Sequence, residues 1–173
     1  MGRPGKGAAP LNTGQLLIAV PGMLDPNFDA TVVYLYETSD GAAGVVINRP
    51  TDIPVRDVLP TLTDAAARPA VVFYGGPVGV EHALVIGVTD SAINLLDLEA
   101  APEADAVRVF AGYAGWEQGQ LELELAEGAW FVADGTAADL LTPEPAELWR
   151  SIFGRQSGLI RRYRNFPDDP RLN

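Results

Sequence analysis

Hydrophobic residues, many of them β-branched or aromatic, recur in short runs along the chain, and Gly, Pro, Asn and Asp separate these runs. Runs of this length and composition are typical of β-strands. They predict strands at 15–20, 31–37, 44–48, 71–74, 83–88, 92–96, 107–113 and 130–133. The Ser-Asp-Gly turn signal at 39–41 favours an antiparallel hairpin between the second and third of these strands.

Three segments favour helices. The segment 142–155 opens with the N-cap candidate Thr142, continues with a proline, and has an apolar face. The segment 119–127 alternates Leu and Glu with a strand period, but Leu, Glu and Ala are good helix formers and glycines bracket the segment, so we predict a helix. A short helix is predicted at 54–59. Because strands outnumber helices and do not strictly alternate with them, the expected fold class is α+β.

The length of 173 residues fits one domain. Residues 1–13 are rich in Gly, Pro and Ala and are predicted to be a disordered tail. A single domain is expected over 14–173, with an arginine-rich C-terminal extension from about residue 156. The apolar run at 16–20 is far too short to span a membrane, and no signal peptide is recognisable. We therefore expect a cytoplasmic protein with no membrane partner.

Several chemistries lack the residues that they need. The chain has no cysteine, which excludes disulfides and thiolate sites. His82 is the only histidine, and we interpret it as a loop or partly buried residue. Lys6 is the only lysine, so a phosphate-binding P-loop cannot form. No cofactor and no metal site is predicted, although the many carboxylates leave paired acids and an all-oxygen Mg²⁺ site open.

The charge is strongly uneven along the chain. The net formal charge is −11. Residues 1–149 carry six basic and 21 acidic side chains, whereas residues 150–173 carry six arginines and two aspartates. An acidic body repels phosphate backbones, so binding of nucleic acid is not expected. The plain alternative is that the acidity only keeps the surface solvated.

Three segments place special residues just after predicted strands, where backbone amides can face a ligand. They are the pair Asn48-Arg49, the glycine pair at 75–76, and the stretch 112–116 followed by Gly-Gln at 119–120. The predicted ligand-binding residues are Asn48, Arg49, Gly75, Gly76, Tyr113, Trp116 and Gln120. The structural alternative is that the glycines serve turns, that Arg49 pairs with an acid, and that the aromatic side chains pack in the core.

The basic end of the chain is the second candidate site. Its predicted partner-binding residues are Arg161, Arg162, Tyr163, Arg164 and Phe166. Arginine and aromatic side chains are common at the centres of protein interfaces, and the cluster could dock an acidic partner or the acidic body of another copy. The alternative is that this segment packs on its own domain.

Several motifs in a fixed order resemble the YqgE/AlgH family of bacterial proteins. The pieces are Leu-Asp-Pro-Asn-Phe at 24–28, Gly-Val-Val-Ile-Asn-Arg-Pro-Thr at 44–51, Tyr-Gly-Gly-Pro-Val at 74–78, Gly-Tyr-Ala-Gly-Trp at 112–116 and Gly-Gln-Leu-Glu at 119–122. The resemblance implies a mixed, bifurcated β-sheet curled into a pseudo-barrel with flanking helices, and a helix at 119–127. It implies no activity, and some members are named as transcriptional regulators on indirect grounds.

Three functions are consistent with these observations. The favoured one is a non-catalytic binding, adaptor or regulatory protein, because no catalytic set is assembled in the sequence. The first alternative is a small-ligand sensor or enzyme that uses the loops at Asn48-Arg49, Gly75-Gly76 and 112–116. The second is a transcriptional regulator that binds nucleic acid directly. A protein partner and a homo-oligomer both remain open.

Overall fold

The computed structural model describes residues 9–90, 92–100 and 103–165. Strands dominate these residues. The strands are β1 (Gln15–Ala19), β2 (Val32–Glu37), β3 (Ala42–Val46), β4 (Pro50–Pro54), β5 (Val71–Tyr74), β6 (Val78–Thr89), β7 (Ala92–Leu95), β8 (Ala106–Trp116) and β9 (Trp130–Asp134). The α-helices are α1 (Val55–Val58), α2 (Gln120–Ala126), α3 (Ala137–Leu140) and α4 (Pro145–Gly154). Short 3₁₀ helices cover Pro60–Leu62, Leu98–Ala100 and Gly158–Asn165.

All nine strands belong to one branched sheet. Its main path runs β4-β5-β8-β3-β2-β1-β9, and β6 pairs with β8 and carries β7 on its other side. Only β5 and β8 pair in parallel; the other pairs are antiparallel. Within the described residues β4, β7 and β9 each pair on one side only, so the sheet is not closed into a barrel. The α+β class and the bifurcated sheet are confirmed, but the curl stops short of closure.

The strands β1 and β2 are buried on both faces, which explains their continuous apolar sequence. Leu16 and Ile18 join a core cluster covered by α4, while Leu17 and Ala19 point the other way into a cluster covered by α2. Successive side chains of a strand point to opposite faces, so this alternation is what the extended backbone requires. A third cluster, which includes Val55 of α1, lies under the other branch of the sheet.

The helix predicted at 119–127 is confirmed as α2, so the Leu and Glu propensities decide the structure here and the period-2 spacing does not. Its Leu121 is buried and Leu123 is exposed, as two residues 200° apart on a helix would be. The predicted cap Thr142 is wrong: α4 begins three residues later, with Glu144 at the N-cap and Pro145 in the first turn. Its remaining turns match the predicted apolar face.

Strand β4, helix α3 and the short 3₁₀ helices were not predicted. Strand β4 contains two prolines, which is compatible with its position at an edge of the sheet. Helix α3 has only four residues, too few for a visible periodicity, but a capping box starts it: Thr136 and Asp139 each accept a hydrogen bond from the other's backbone N–H. Strand β6 begins at Val78, earlier than predicted, and this first half is mostly exposed and contains Gly79, Glu81 and His82.

The two ends of the chain are partly described. Residues 1–8 of the predicted tail lie outside the described residues, and Leu11 packs against the cluster that contains Trp116. The predicted tail therefore stays a prediction for its first eight residues. None of the helices in the described part of the chain combines the length and the hydrophobicity that crossing a membrane requires.

Candidate functional site

The predicted ligand segments 48–49 and 75–76 and the start of 112–116 come together where β3, β5 and β8 adjoin. The N–H of Val46 donates to the carbonyl oxygen of Gly75 (2.8 Å), and the N–H of Gly75 donates to that of Ala111 (2.9 Å). The N–H of Tyr74 donates to the carbonyl oxygen of Arg49 (2.8 Å). Backbone hydrogen bonds therefore form this junction and use amides that were expected to face a ligand.

The glycines of the junction allow two backbones to approach closely. Gly75 and Gly76 are buried. A Cβ on Gly75 would overlap the carbonyl oxygen of Gly112, and a Cβ on Gly112 would overlap that of Gly76. Gly112 also has a φ of +75°, in the left-handed region that favours glycine. The space beside Gly75 and Gly76 is thus filled by the protein's own backbone.

Asn48 and Arg49 fasten the loop between β1 and β2. The Asn48 side-chain oxygen accepts from the N–H of Val32 (3.0 Å), and its Nδ2 donates to the carbonyl of Ala30 (2.9 Å). The guanidinium of Arg49 donates to the carbonyl oxygens of Asn27 (2.7 Å) and Asp29 (2.9 Å). The expected pairing of Arg49 with an acid is wrong, because its partners are backbone carbonyls. Both side chains therefore make hydrogen bonds that shape this loop.

Trp116 and Gln120 surround a carboxylate that the sequence analysis missed. Glu124 Oε2 accepts from the indole N–H of Trp116 (2.9 Å) and from that of Trp130 (2.8 Å). Gln120 Nε2 donates to the other carboxylate oxygen at 3.4 Å. The ring of Phe28 packs against both indoles, with centroid distances of 6.1 and 5.5 Å. This is a packed aromatic cluster whose buried indole donors are satisfied by Glu124.

The backbone of Tyr113 lies against Gly76, but its side chain lines an open cleft of about 300 Å³ between β2, β6, β7 and β8. Tyr36 and His82 also line this cleft. Burial, together with the neighbouring Tyr113 and Glu37, raises the pKa of Tyr36 to about 12. The interpretation of His82 as a loop or partly buried residue is wrong, because it lies in β6 and its side chain is 82% exposed.

The C-terminal segment packs on its own domain along one side. Tyr163 lies against Phe131 (5.6 Å between centroids) and Phe153 (5.7 Å). Arg161, Arg162 and Arg164 of the same 3₁₀ helix are exposed. Phe166 lies outside the described residues. One side of the segment, with Tyr163, thus packs on its own domain, while the other side exposes arginines.

Arg108 is a buried cation, 1% exposed. Its five N–H donors all reach backbone carbonyl oxygens, at distances between 2.9 and 3.3 Å. The acceptors are Ala67, Arg68, Pro69, Leu140 and Thr142. Its guanidinium carbon lies 4.3 Å from the centre of the Phe73 ring. Burial lowers the pKa of Arg108 to about 10, which leaves it charged at neutral pH.

Arg155 and Asp139 form a two-pronged ion pair, with both N–O distances at 2.7 Å. Burial disfavours the charge of Asp139, but the hydrogen bonds and charge of Arg155 and the bonds to Thr136 outweigh it, so the pKa of Asp139 is lowered. The hydrogen bond to Asp139 raises the pKa of Arg155. The pair joins the end of α4 to α3. Within residues 9–90, 92–100 and 103–165, no three histidine or acidic side chains are grouped so as to hold a metal ion.

A sequence model of the AlgH-like family (DUF179) matches residues 16–161. The UPF0301 protein SCO2948 of Streptomyces coelicolor is 44% identical over 93% of this chain and 95% of its own length. The UPF0301 protein of Mycobacterium avium is 36% identical, over 84% of this chain and 83% of its own.

Two solved structures share the fold. The crystal structure of protein DIP2367 from Corynebacterium diphtheriae aligns with a TM-score of 0.81 and 28% identity, over 88% of this chain and 91% of that one. The solution structure of the AlgH protein from Pseudomonas aeruginosa aligns with a TM-score of 0.65 and 29% identity, over 90% of this chain and 94% of that one.

Proposed function

The chain belongs to the AlgH-like family, and we propose that it is a non-catalytic binding protein that docks an acidic protein partner through the arginines of its C-terminal segment. The names of the relatives state no reaction, ligand or partner. The proposal therefore rests on the residues of this chain.

The observation that carries the proposal is the geometry of the 3₁₀ helix Gly158–Asn165. Such a helix has three residues per turn, so Ile160 and Tyr163 lie on one side, and both pack against the core. Arg161 and Arg162 fall on the other sides, are exposed, and make no hydrogen bond or ion pair with the described residues. The segment is thus held in place while two guanidinium groups face outward.

A binding role also agrees with how the other candidate residues are used. Asn48 and Arg49 fix a loop, Gly75 and Gly76 pack against another strand, and Gln120 and Trp116 surround Glu124. The polar groups that a catalytic mechanism at the junction would need are already bonded to the protein itself.

Charge favours an acidic protein over nucleic acid. The two outward-facing arginines offer planar donors that suit carboxylates. The rest of the chain is strongly acidic and would repel the many phosphates of a long polyanion. A compact acidic surface, by contrast, can bind the basic segment without contacting the acidic rest of the chain. Charge complementarity would then accelerate association.

The test is co-purification of the tagged full-length protein from extracts of its native cells, with wild type beside Arg161→Glu/Arg162→Glu. Arg164 is left unchanged because its stem lies against Gly154. The matched control is Arg56→Glu. Arg56 is exposed on α1, and its Nε lies 3.8 Å from Oδ1 of Asp57 in a surface ion pair. We expect a stoichiometric acidic protein with wild type and with the control, and its loss with the double variant and at high salt.

Three outcomes would overturn the proposal. One is retention of the partner by the Arg161→Glu/Arg162→Glu variant. Another is the absence of any stoichiometric protein with wild type. The third is recovery of nucleic acid, or of a second copy of this chain alone, in place of a different acidic protein.

A further inference from the structure

The cleft that contains Tyr113 has apolar walls with a few polar groups. Leu84, Leu95 and Leu96 from β6, β7 and the residue after β7 form much of its surface, beside the rings of Tyr36 and Tyr113. Its volume of about 300 Å³ lies at the lower end of the range of small-molecule sites. That size suits a small organic molecule and excludes a helix or a folded partner.

The two phenol hydroxyls are available to a ligand. Both tyrosines are half-buried, yet neither hydroxyl bonds to any other group in the part of the chain that the structure describes. The high pKa of Tyr36 keeps its hydroxyl protonated at neutral pH, so it can donate a hydrogen bond. A ligand that carries a hydrogen-bond acceptor on an apolar body would satisfy such a half-buried donor and also pack against the apolar walls of the cleft.

Gly79 keeps one side of the cleft open. Its φ is +61°, and a Cβ at this position would lie 3.8 Å from Cε1 of Tyr113 and 3.9 Å from Cδ2 of His82. The rings of Tyr113 and His82 therefore border the same space, which the absent side chain leaves empty. His82 thus adds a second type of polar group to the cleft.

The charges beside the cleft decide the kind of polar group that it can accept. Glu37 follows Tyr36 and its charge acts on the Tyr36 hydroxyl. Glu81 precedes His82 and lies 3.4 Å from its Nε2. Two carboxylates near the polar groups disfavour an anionic ligand.

We propose that this cleft binds a small neutral organic molecule with an aromatic or branched aliphatic body and one hydrogen-bond acceptor, such as a ketone oxygen. The acceptor meets the hydroxyls of Tyr36 and Tyr113, and the body packs on the leucines. None of the C-terminal arginines lines this cleft, so its ligand binding can be tested independently of the proposed docking function.

The test uses fluorine NMR titration of the full-length protein with para-fluoroacetophenone, a neutral aromatic ketone. Para-fluorotoluene lacks the acceptor and para-fluorobenzoate is anionic. We expect saturable binding of the ketone, and weaker binding of both comparison molecules. Tyr36→Phe and Tyr113→Phe should each weaken binding of the ketone about two- to tenfold, the loss expected for one hydrogen bond.

Two further variants separate the cleft from the rest of the molecule. Ala83 is exposed and lines the cleft, so Ala83→Phe should fill the space and abolish binding without disturbing the core. Tyr74→Phe removes a hydroxyl outside the cleft and should leave binding unchanged. The proposal is overturned if the ketone shows no saturable binding, or if Ala83→Phe and both cleft Tyr→Phe variants bind it as wild type does. Equal or tighter binding of the benzoate would contradict the neutral ligand class.

Discussion

Arg108 and Arg162 are the same side chain in opposite situations. Arg108 belongs to strand β8 and is buried with its five donors on backbone carbonyls, whereas Arg162 is exposed and bonds to none of the described residues. The chain carries a net formal charge of −11, yet neither arginine contacts a carboxylate of the described residues. The contrast shows that the position of an arginine relative to backbone acceptors, and not the net charge around it, decides whether the arginine supports the fold or is available to a partner.

Other arginines lie between these extremes. Arg49 bonds to two carbonyl oxygens and is half-buried. Arg155 bonds to the buried carboxylate of Asp139, while its own side chain is 39% exposed. The stabilising contribution should therefore fall from Arg108 through Arg155 to Arg161 and Arg162. Each step can be measured as a change in unfolding.

The largest effect is expected for Arg108→Met. The variant removes the donors of five carbonyl oxygens, whose hydrogen bonds to Arg108 are buried or partly buried, and the cation over Phe73. Leaving buried acceptors unbonded should cost about 3 kcal/mol or more. For a chain of this length the Tm should fall by roughly 10 °C in calorimetry.

Two controls test the reason for that loss. Arg108→Lys keeps the charge but has three donors on one nitrogen, so it should fall between wild type and Arg108→Met. Arg56→Met, at an exposed position on α1, should change the Tm little. If Arg108→Met melted at the wild-type temperature, the hydrogen bonds from Arg108 to the carbonyl oxygens at 67–69 and 140–142 would not contribute to stability.

An intermediate effect is expected for Asp139→Asn. The pKa of Asp139 is lowered in the folded protein, so its ionised form stabilises the fold above about pH 3.8, the ordinary pKa of this carboxyl, and this contribution is lost as the pH falls through the folded value. Because solvent screens the exposed side of Arg155, the loss at pH 7 should be about 1–2 kcal/mol. Urea unfolding of both proteins at several pH values measures it.

The shape of that pH dependence is the sharper part of the test. The difference between wild type and Asp139→Asn should be constant from pH 7 down to about pH 5 and shrink below pH 3.8. Asp134→Asn removes an exposed charge nearby and should show a far smaller difference. A difference for Asp139→Asn that grew as the pH fell would contradict a lowered pKa of Asp139 in the folded protein.

Local patterns predicted most of the fold because the strand preference of short apolar runs and helix propensity both act over a few residues. They predicted β1, β2 and α2 well for that reason. They missed β4, whose two prolines argue against a strand, and α3, which is too short to show a period. The absence of barrel closure depends on which strands stay unpaired, and no local pattern encodes that.

The candidate site was harder to predict because its partners are distant in sequence and are often backbone atoms. The segments at Asn48-Arg49 and 75–76 stand out because they follow predicted strands, but the carbonyl groups that occupy Arg49 leave no mark in the sequence. Arg108 is the one Lys or Arg between residues 81 and 147, but its acceptors come from 67–69 and 140–142, which the sequence does not connect to it. Glu124 looked like one more surface acid until the fold brought two tryptophans to it.

The smallest effect on stability is expected for Arg161→Gln/Arg162→Gln. Both side chains are exposed and unbonded within the described residues, and Ile160 and Tyr163, which anchor the segment, are untouched. The Tm in calorimetry should therefore stay within about 1–2 °C of wild type. A drop comparable to that of Arg108→Met would mean that these arginines are structural as well. The contrast between buried and exposed arginines would then disappear, and the proposed docking surface would lose the unbonded guanidinium groups on which it depends.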